Sequence, residues 1–98
     1  MRLIEKEMLA AINGGRDWSK DNTRVEIVPR YRAYRAEIYL HGNHIADVFN
    51  DMAGTSVVNP NVATLCQYPT RTTMSRLRAL GVDVCTRKGE VMLDGKPL

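Results

Sequence analysis

A chain of 98 residues with 44% hydrophobic content is sized for one folded domain with a modest core, and that excludes a disordered segment. No apolar run approaches the roughly 20 residues that a membrane-crossing helix needs, and Glu5, Lys6 and Glu7 interrupt any signal-peptide stretch, so no membrane partner is expected and the protein should stay where it is made. The net charge of +3 is mildly basic but unevenly placed: residues 36–70 hold no Lys or Arg, while most cations fall within residues 24–35 and 71–88.

Residues 2–13 predict a helix. Met1, Ile4, Met8, Ala11 and Ile12 form one stripe at the 3.6-residue period, with Leu9 at its margin, and Gly14 and Gly15 supply a stop. A polar, turn-prone stretch follows, anchored by Trp18. Alternation of apolar and polar positions predicts strands over residues 24–28 and 34–40, separated by a turn near Pro29. In the second strand Ala36, Ile38 and Leu40 oppose Arg35, Glu37 and Tyr39.

Gly42 and Asn43 predict a hairpin turn into a returning strand over residues 45–49. A two-residue turn pairs Leu40 with Ile45 and sets Asp47 beside Ile38. One more loop residue pairs Leu40 with Ala46 and Ile38 with Val48. The second register is preferred because it keeps the Asp47 carboxylate out of the core.

Residues 51–60 read as a loop with a short extended piece at Val57 and Val58, and residues 62–66 as a further strand. After Pro69, Thr72 or Thr73 should cap a helix reaching about Leu80, closed by Gly81. Residues 82–86 and 90–93 form a hairpin turning at Lys88 and Gly89. The expected fold is a single α+β domain over residues 1–98: an antiparallel sheet of four to six strands with an N-terminal helix and a second short helix.

Candidate functional residues lie in the two basic blocks. On the second helix, Met74, Leu77 and Leu80 fall within about 60° of one direction, and Arg76 and Arg78 lie roughly 100° to either side. Its first turn, with Thr70, Arg71, Thr72, Thr73 and Ser75, offers hydroxyls, amides and a guanidinium to a phosphate. The same residues also suit a plain capped amphipathic helix with solvated arginines. In the earlier block, Arg30, Arg32 and Arg35 interleave with Tyr31 and Tyr34, pairing phosphate neutralisation with base stacking. An exposed strand face would look the same.

His41 and His44 flank the predicted hairpin turn. A metal would need Asp47, Cys66 or Cys85 as further ligands, and no spacing demands one, so turn histidines are the expectation. Cys66 and Cys85 are expected as reduced thiols. With no phosphate loop, nucleophile elbow or Cys–His signature, the chain reads as a non-enzyme without a cofactor.

Three strings carry a family resemblance: Asn22-Thr23-Arg24-Val25-Glu26, Tyr39-Leu40-His41-Gly42-Asn43-His44-Ile45-Ala46, and the run from Thr70 to Leu80. In them the chain resembles a family of small uncharacterised proteins of tailed bacteriophages, whose members often carry Asn where Arg78 stands. The resemblance implies a phage origin and expression in the cytoplasm of an infected bacterial host, and brings no activity with it. Three functional readings follow. One is a nucleic-acid contact through Arg30, Tyr31, Arg32, Tyr34, Arg35, Arg71, Arg76 and Arg78. Another is docking onto a bacterial host protein, such as transcription or defence machinery, where an acidic patch would suit a basic partner. The third is a homodimer without an outside partner.

Overall fold

The computed structural model describes residues 1–51 and 53–98. Helix α1 (Leu3–Asn13) lays Met8, Ala11 and Ile12 into the core. Met1, expected in this stripe, precedes the helix and is exposed; the buried place one turn before Met8 belongs to Glu5 instead. Trp18 does anchor the segment after α1, but within a strand rather than a loop: β1 (Trp18–Lys20) pairs Trp18 with Val25.

Strand β2 (Thr23–Arg30) runs through Pro29 without turning there. Its partner β1 reaches only as far as Val25, so Pro29 sits where β2 is the edge of the sheet. The Ile27 N–H, two residues earlier and of the same parity, turns to that side and donates to Asp17 Oδ1 at 2.7 Å. The hydrogen-bond donor that proline lacks is therefore missing on the free edge, where it is tolerated. The turn comes at Tyr31 and Arg32, leading into β3 (Ala33–Leu40).

Strand β4 (Asn43–Asp51) pairs with β3 in neither expected register. The turn residues are His41 and Gly42, both at positive φ (52° and 80°), the geometry whose twist suits a two-residue hairpin. Leu40 pairs with Asn43 and Tyr39 with His44, after which a bulge brings Ile38 opposite Ala46 and Ala36 opposite Val48. Ile45 is the extra residue. A bulge breaks strict alternation, and Ile45 and Ala46 are accordingly buried side by side. Asp47 stays out of the core, opposite Glu37.

Strand β5 (Ser56–Pro60) completes an antiparallel meander of order β1-β2-β3-β4-β5. The residues expected as a following strand form a short helix instead, α2 (Val62–Gln67), because Asn61 Oδ1 caps it by accepting from the Thr64 N–H at 3.1 Å. Helix α3 (Arg71–Ala79) starts at an earlier cap than expected, Thr70, whose Oγ1 accepts from the Thr73 N–H at 3.1 Å. Gly81 follows at φ 96°. The expected tail hairpin is present as β6 (Val84–Arg87) and β7 (Glu90–Leu93), and β8 (Lys96–Pro97) adds a third strand. These form a separate three-stranded sheet. The α+β class holds, with one helix more than the sequence suggests.

One core joins these parts. Met8 and Ile12 of α1, Leu65 of α2, Met74 and Leu77 of α3 and Val84 of β6 meet Val25, Ala36, Ile38, Leu40, Ala46 and Val48 of the large sheet. Those sheet residues share one face, while the alternate residues of β2, β3 and β4 all retain solvent exposure. An antiparallel sheet with one face packed and one in water gives this pattern. The second face is left uncommitted by the core.

Candidate interaction surface

Cross-strand register lays the open face out in rows. Arg24, Tyr39 and His44 make the first row, at the end where β2 begins. Glu26, Glu37, Asp47 and Asn59 make the second; Val28, Arg35, Phe49 and Val57 the third; Arg30, Ala33 and Asp51 the fourth. Two like-charged carboxylate pairs, Glu26 with Glu37 and Glu37 with Asp47, thus stand directly opposite one another, an arrangement that costs stability. The neighbouring rows offset this. Arg24 Nε lies 3.2 Å from Glu26 and Arg35 Nη2 3.2 Å from Glu37.

Tyr39 ties the first two rows together. Its hydroxyl donates to Glu37 Oε1 at 3.3 Å, the Arg24 guanidinium lies 4.4 Å from its ring centre, and its ring meets that of His44 at 5.3 Å. Burial and the nearby Glu37 and Glu26 charges, with the hydrogen bond to Glu37, raise its pKa above 10.0 despite the opposing charge of Arg24. Tyr39 therefore acts as a hydrogen-bond donor throughout the physiological range.

Glu37, His44 and Asp47 bring possible metal-binding atoms within 4.8 Å of one another, and neither cysteine joins them. The hydrogen bonding argues against metal ligation. Because Asn61 Oδ1 is committed to capping α2, its Nδ2 faces His44 Nδ1 at 3.3 Å. An amide nitrogen can only donate, so in the neutral ring the proton sits on Nε2, which donates to Asp47 Oδ1 at 2.7 Å. A metal held through Nε2 needs that proton on Nδ1, where ligating histidines offer it to an acceptor; here it would meet the N–H of Asn61. His41 lies elsewhere, its Nε2 3.2 Å from Asn22 Nδ2.

The residues expected to bind nucleic acid separate. Arg76, expected to flank the apolar stripe at the surface, is buried. Its side chain and that of Glu5 are each 4% exposed, Nη1 donates to Glu5 Oε2 at 2.8 Å and Nε to Thr23 Oγ1 at 3.1 Å. Ser75 Oγ donates to the same Glu5 oxygen at 2.6 Å. Tyr34 also turns inward: its hydroxyl donates to the Ile12 carbonyl at 2.5 Å and accepts from Asn50 Nδ2 at 2.8 Å. Neither side chain is free for a ligand. Arg35 is half-buried and paired with Glu37, and among the described residues its buried Nε has no hydrogen-bond partner.

Arg30, Tyr31, Arg32, Arg71 and Arg78 remain exposed. Tyr31, at the β2–β3 turn, is 86% exposed and lies 5.2 Å from the Arg32 guanidinium, while Arg30 lies 5.8 Å from the Phe49 ring. Helix α3 is tied through Arg76 to Thr23, at the opposite end of β2 from Arg30. Seven residues of strand span about 23 Å, so the two basic blocks do not form one patch.

The sequence profile of the Kyanoviridae Gp96 protein family matches residues 1–97. The chain belongs to this family. It is therefore a bacteriophage protein, as its resemblance to tailed-phage proteins implies. No curated protein and no solved structure matches it. Among the described residues, no helix of this Kyanoviridae Gp96 family member is long and apolar enough to cross a membrane.

Proposed function

We propose that the protein is a non-enzymatic phage accessory factor that docks onto a host protein, in the cytoplasm of the infected bacterium, through the open face of its five-stranded sheet. The observation that carries this reading is the row pattern. Tyr39, Phe49, Arg24 and Arg35, of types enriched at protein interfaces, surround the carboxylates of Glu26, Glu37 and Asp47. The matching partner surface presents a basic group over the acidic row and apolar groups over Val28, Phe49 and Val57. This reverses the charge expected from the sequence, since the docking row is acidic although the chain is basic overall.

Magnitudes favour docking over nucleic-acid binding. Phosphate contacts from all six expected arginines would give a salt dependence of about −4.2 on single strands, whereas Arg30 and Arg32, at the end of β2 and in the turn after it, support about −1.4. Two contacts make a weak binder. The exposure of Tyr31 between Arg30 and Arg32 nevertheless keeps single-stranded nucleic acid as a second reading, confined to that turn.

Capture from nuclease-treated host lysate tests the first reading against the second, using wild type, Phe49→Ala, and a Tyr31→Ala/Arg32→Ala double variant. Docking through the open face predicts a stoichiometric host protein that is lost with Phe49→Ala and kept with the turn variant. Capture that ignores the Phe49 substitution overturns it. Recovery of nucleic acid alone from a parallel lysate left without nuclease, lost with the turn variant, supports the second reading.

A further inference from the structure

The two edges of the large sheet are protected differently. At one edge β1 is three residues long and carries Lys20. Shortness and a lysine are devices that stop a sheet from adding strands. At the other edge β5 reads Ser-Val-Val-Asn-Pro, without a charge, and Val57 is 54% exposed.

Hydrogen-bond parity shows which backbone groups this edge offers. The Asn61 N–H donates to the Ile45 carbonyl, and the Thr55 carbonyl accepts from the Asp51 N–H. Odd-numbered residues from 55 to 61 therefore turn their backbone groups toward β4. Ser56, Val58 and Pro60 turn theirs outward, and Pro60 brings no N–H to the edge. Two donors and two acceptors, on Ser56 and Val58, are left facing away from the sheet.

We propose that two copies of the chain pair antiparallel through β5, about a two-fold axis at Val57. Ser56 of one copy then stands opposite Val58 of the other. Residues opposite each other with inward-facing groups exchange both N–H···O bonds, so the two such pairs form four backbone hydrogen bonds. Val57 meets Val57 of the second copy in the intervening pair, where side chains approach most closely. The row Val28, Arg35, Phe49, Val57 continues directly into the same row of the second copy. No carboxylate comes opposite another at the seam, because β5 carries none. The symmetric pairing makes a ten-stranded sheet and leaves the open face of each copy free, so it is independent of the docking proposed above.

The seam is short, about 17 Å of strand, which puts it at the weak end of specific interfaces. The assembly should accordingly be concentration-dependent, dissociating in the range of about 1–100 µM. Sedimentation equilibrium across about 5–500 µM tests it with wild type, Val57→Lys and, as a control at the other edge, Ser19→Lys. The expected result is a mass rising from 11.1 kDa toward twice that value for wild type and Ser19→Lys. Val57→Lys should remain monomeric, with the circular dichroism spectrum and thermal midpoint of the dissociated wild-type chain at low concentration. A wild-type mass of one chain at every concentration overturns the proposal, as does a dimer that Val57→Lys leaves intact. Amide exchange gives a separate readout: the Ser56 and Val58 N–H groups should become protected as concentration rises, and concentration-independent exchange at both would also overturn it.

Discussion

Replacing Arg76 by Ala is the sharpest test of how this fold is held. At a solvated surface position the change would alter stability by no more than about 0.5 kcal/mol. Here it removes the hydrogen bonds to Glu5 and Thr23 and takes the charged partner from a Glu5 side chain that is only 4% exposed in the intact pair. The Ser75 hydroxyl and the Arg2 N–H would still reach it, but neither carries a neutralising charge. Breaking a buried pair in this way costs about 3–5 kcal/mol, out of a total of about 5–15 kcal/mol for a domain of this size. Urea unfolding at pH 7, followed by circular dichroism, measures the loss. The double variant Glu5→Leu/Arg76→Met should recover most of it, because replacing both charges removes the stranded carboxylate. A loss below about 1 kcal/mol for Arg76→Ala would refute the reasoning. So would a double variant whose cost equals the sum of its two single substitutions.

The same pair makes stability depend on acid. Burial pushes the Glu5 carboxyl up, but hydrogen bonds from Ser75, Arg76 and the Arg2 backbone, with the Arg76 charge, leave it below its ordinary 4.5. As pH falls past that value the unfolded chain takes up the proton first, so the stabilisation present at neutral pH is lost until the folded-state pKa is passed. Wild type should lose more stability than Glu5→Gln between pH 6 and pH 3 in urea titrations; parallel losses would exclude an ionised Glu5. Leu77→Ala, at a fully buried position, should cost about 2–5 kcal/mol in the same assay. Glu26→Gln should leave the stability of the free protein within about 0.5 kcal/mol of wild type, because relief of the contact with Glu37 is offset by loss of the Arg24 ion pair, and the docking reading requires it to weaken host-protein capture. Arg32→Gly should raise stability by about 0.5–1 kcal/mol, since Arg32 holds φ at 55°, where glycine is at ease.

What the sequence discloses here is set by distance along the chain. The helix stripe of Met8, Ala11 and Ile12, the alternation of Ala36, Ile38 and Leu40 and the Lys88-Gly89 turn are local periodicities, and each appears in the fold. Residues 62–66 read as a strand because Val62 and Thr64 are β-branched, and the Asn61 cap that makes them helical is the local signal that this reading overlooks. The β3–β4 register was hidden because alternation assumes a constant period of two, which the bulge at Ile45 breaks. Arg76 was misplaced for a longer-range reason: the carboxylate that draws it inward lies 71 residues earlier. A helical wheel carries no information about a partner that far away.

The open face, on which the docking proposal rests, follows the same logic. Alternation alone puts Arg35, Glu37 and Tyr39 on the polar side of one strand, and nothing in that is unusual. Only the register aligns Glu26 and Asp47 on either side of Glu37. A sheet chosen for stability alone would place threonine or opposite charges at such positions. Here the fold carries two opposed carboxylate pairs and meets them with Arg24, Arg35, the Tyr39 hydroxyl and a His44 ring oriented by Asn61. A basic side chain from a partner, placed over this row, would relieve a repulsion that the isolated protein must carry. Binding there would then add a further neutralising charge to carboxylates that Arg24 and Arg35 only partly offset in the unbound sheet, which is why removing one of them should harm docking while leaving folding nearly unchanged.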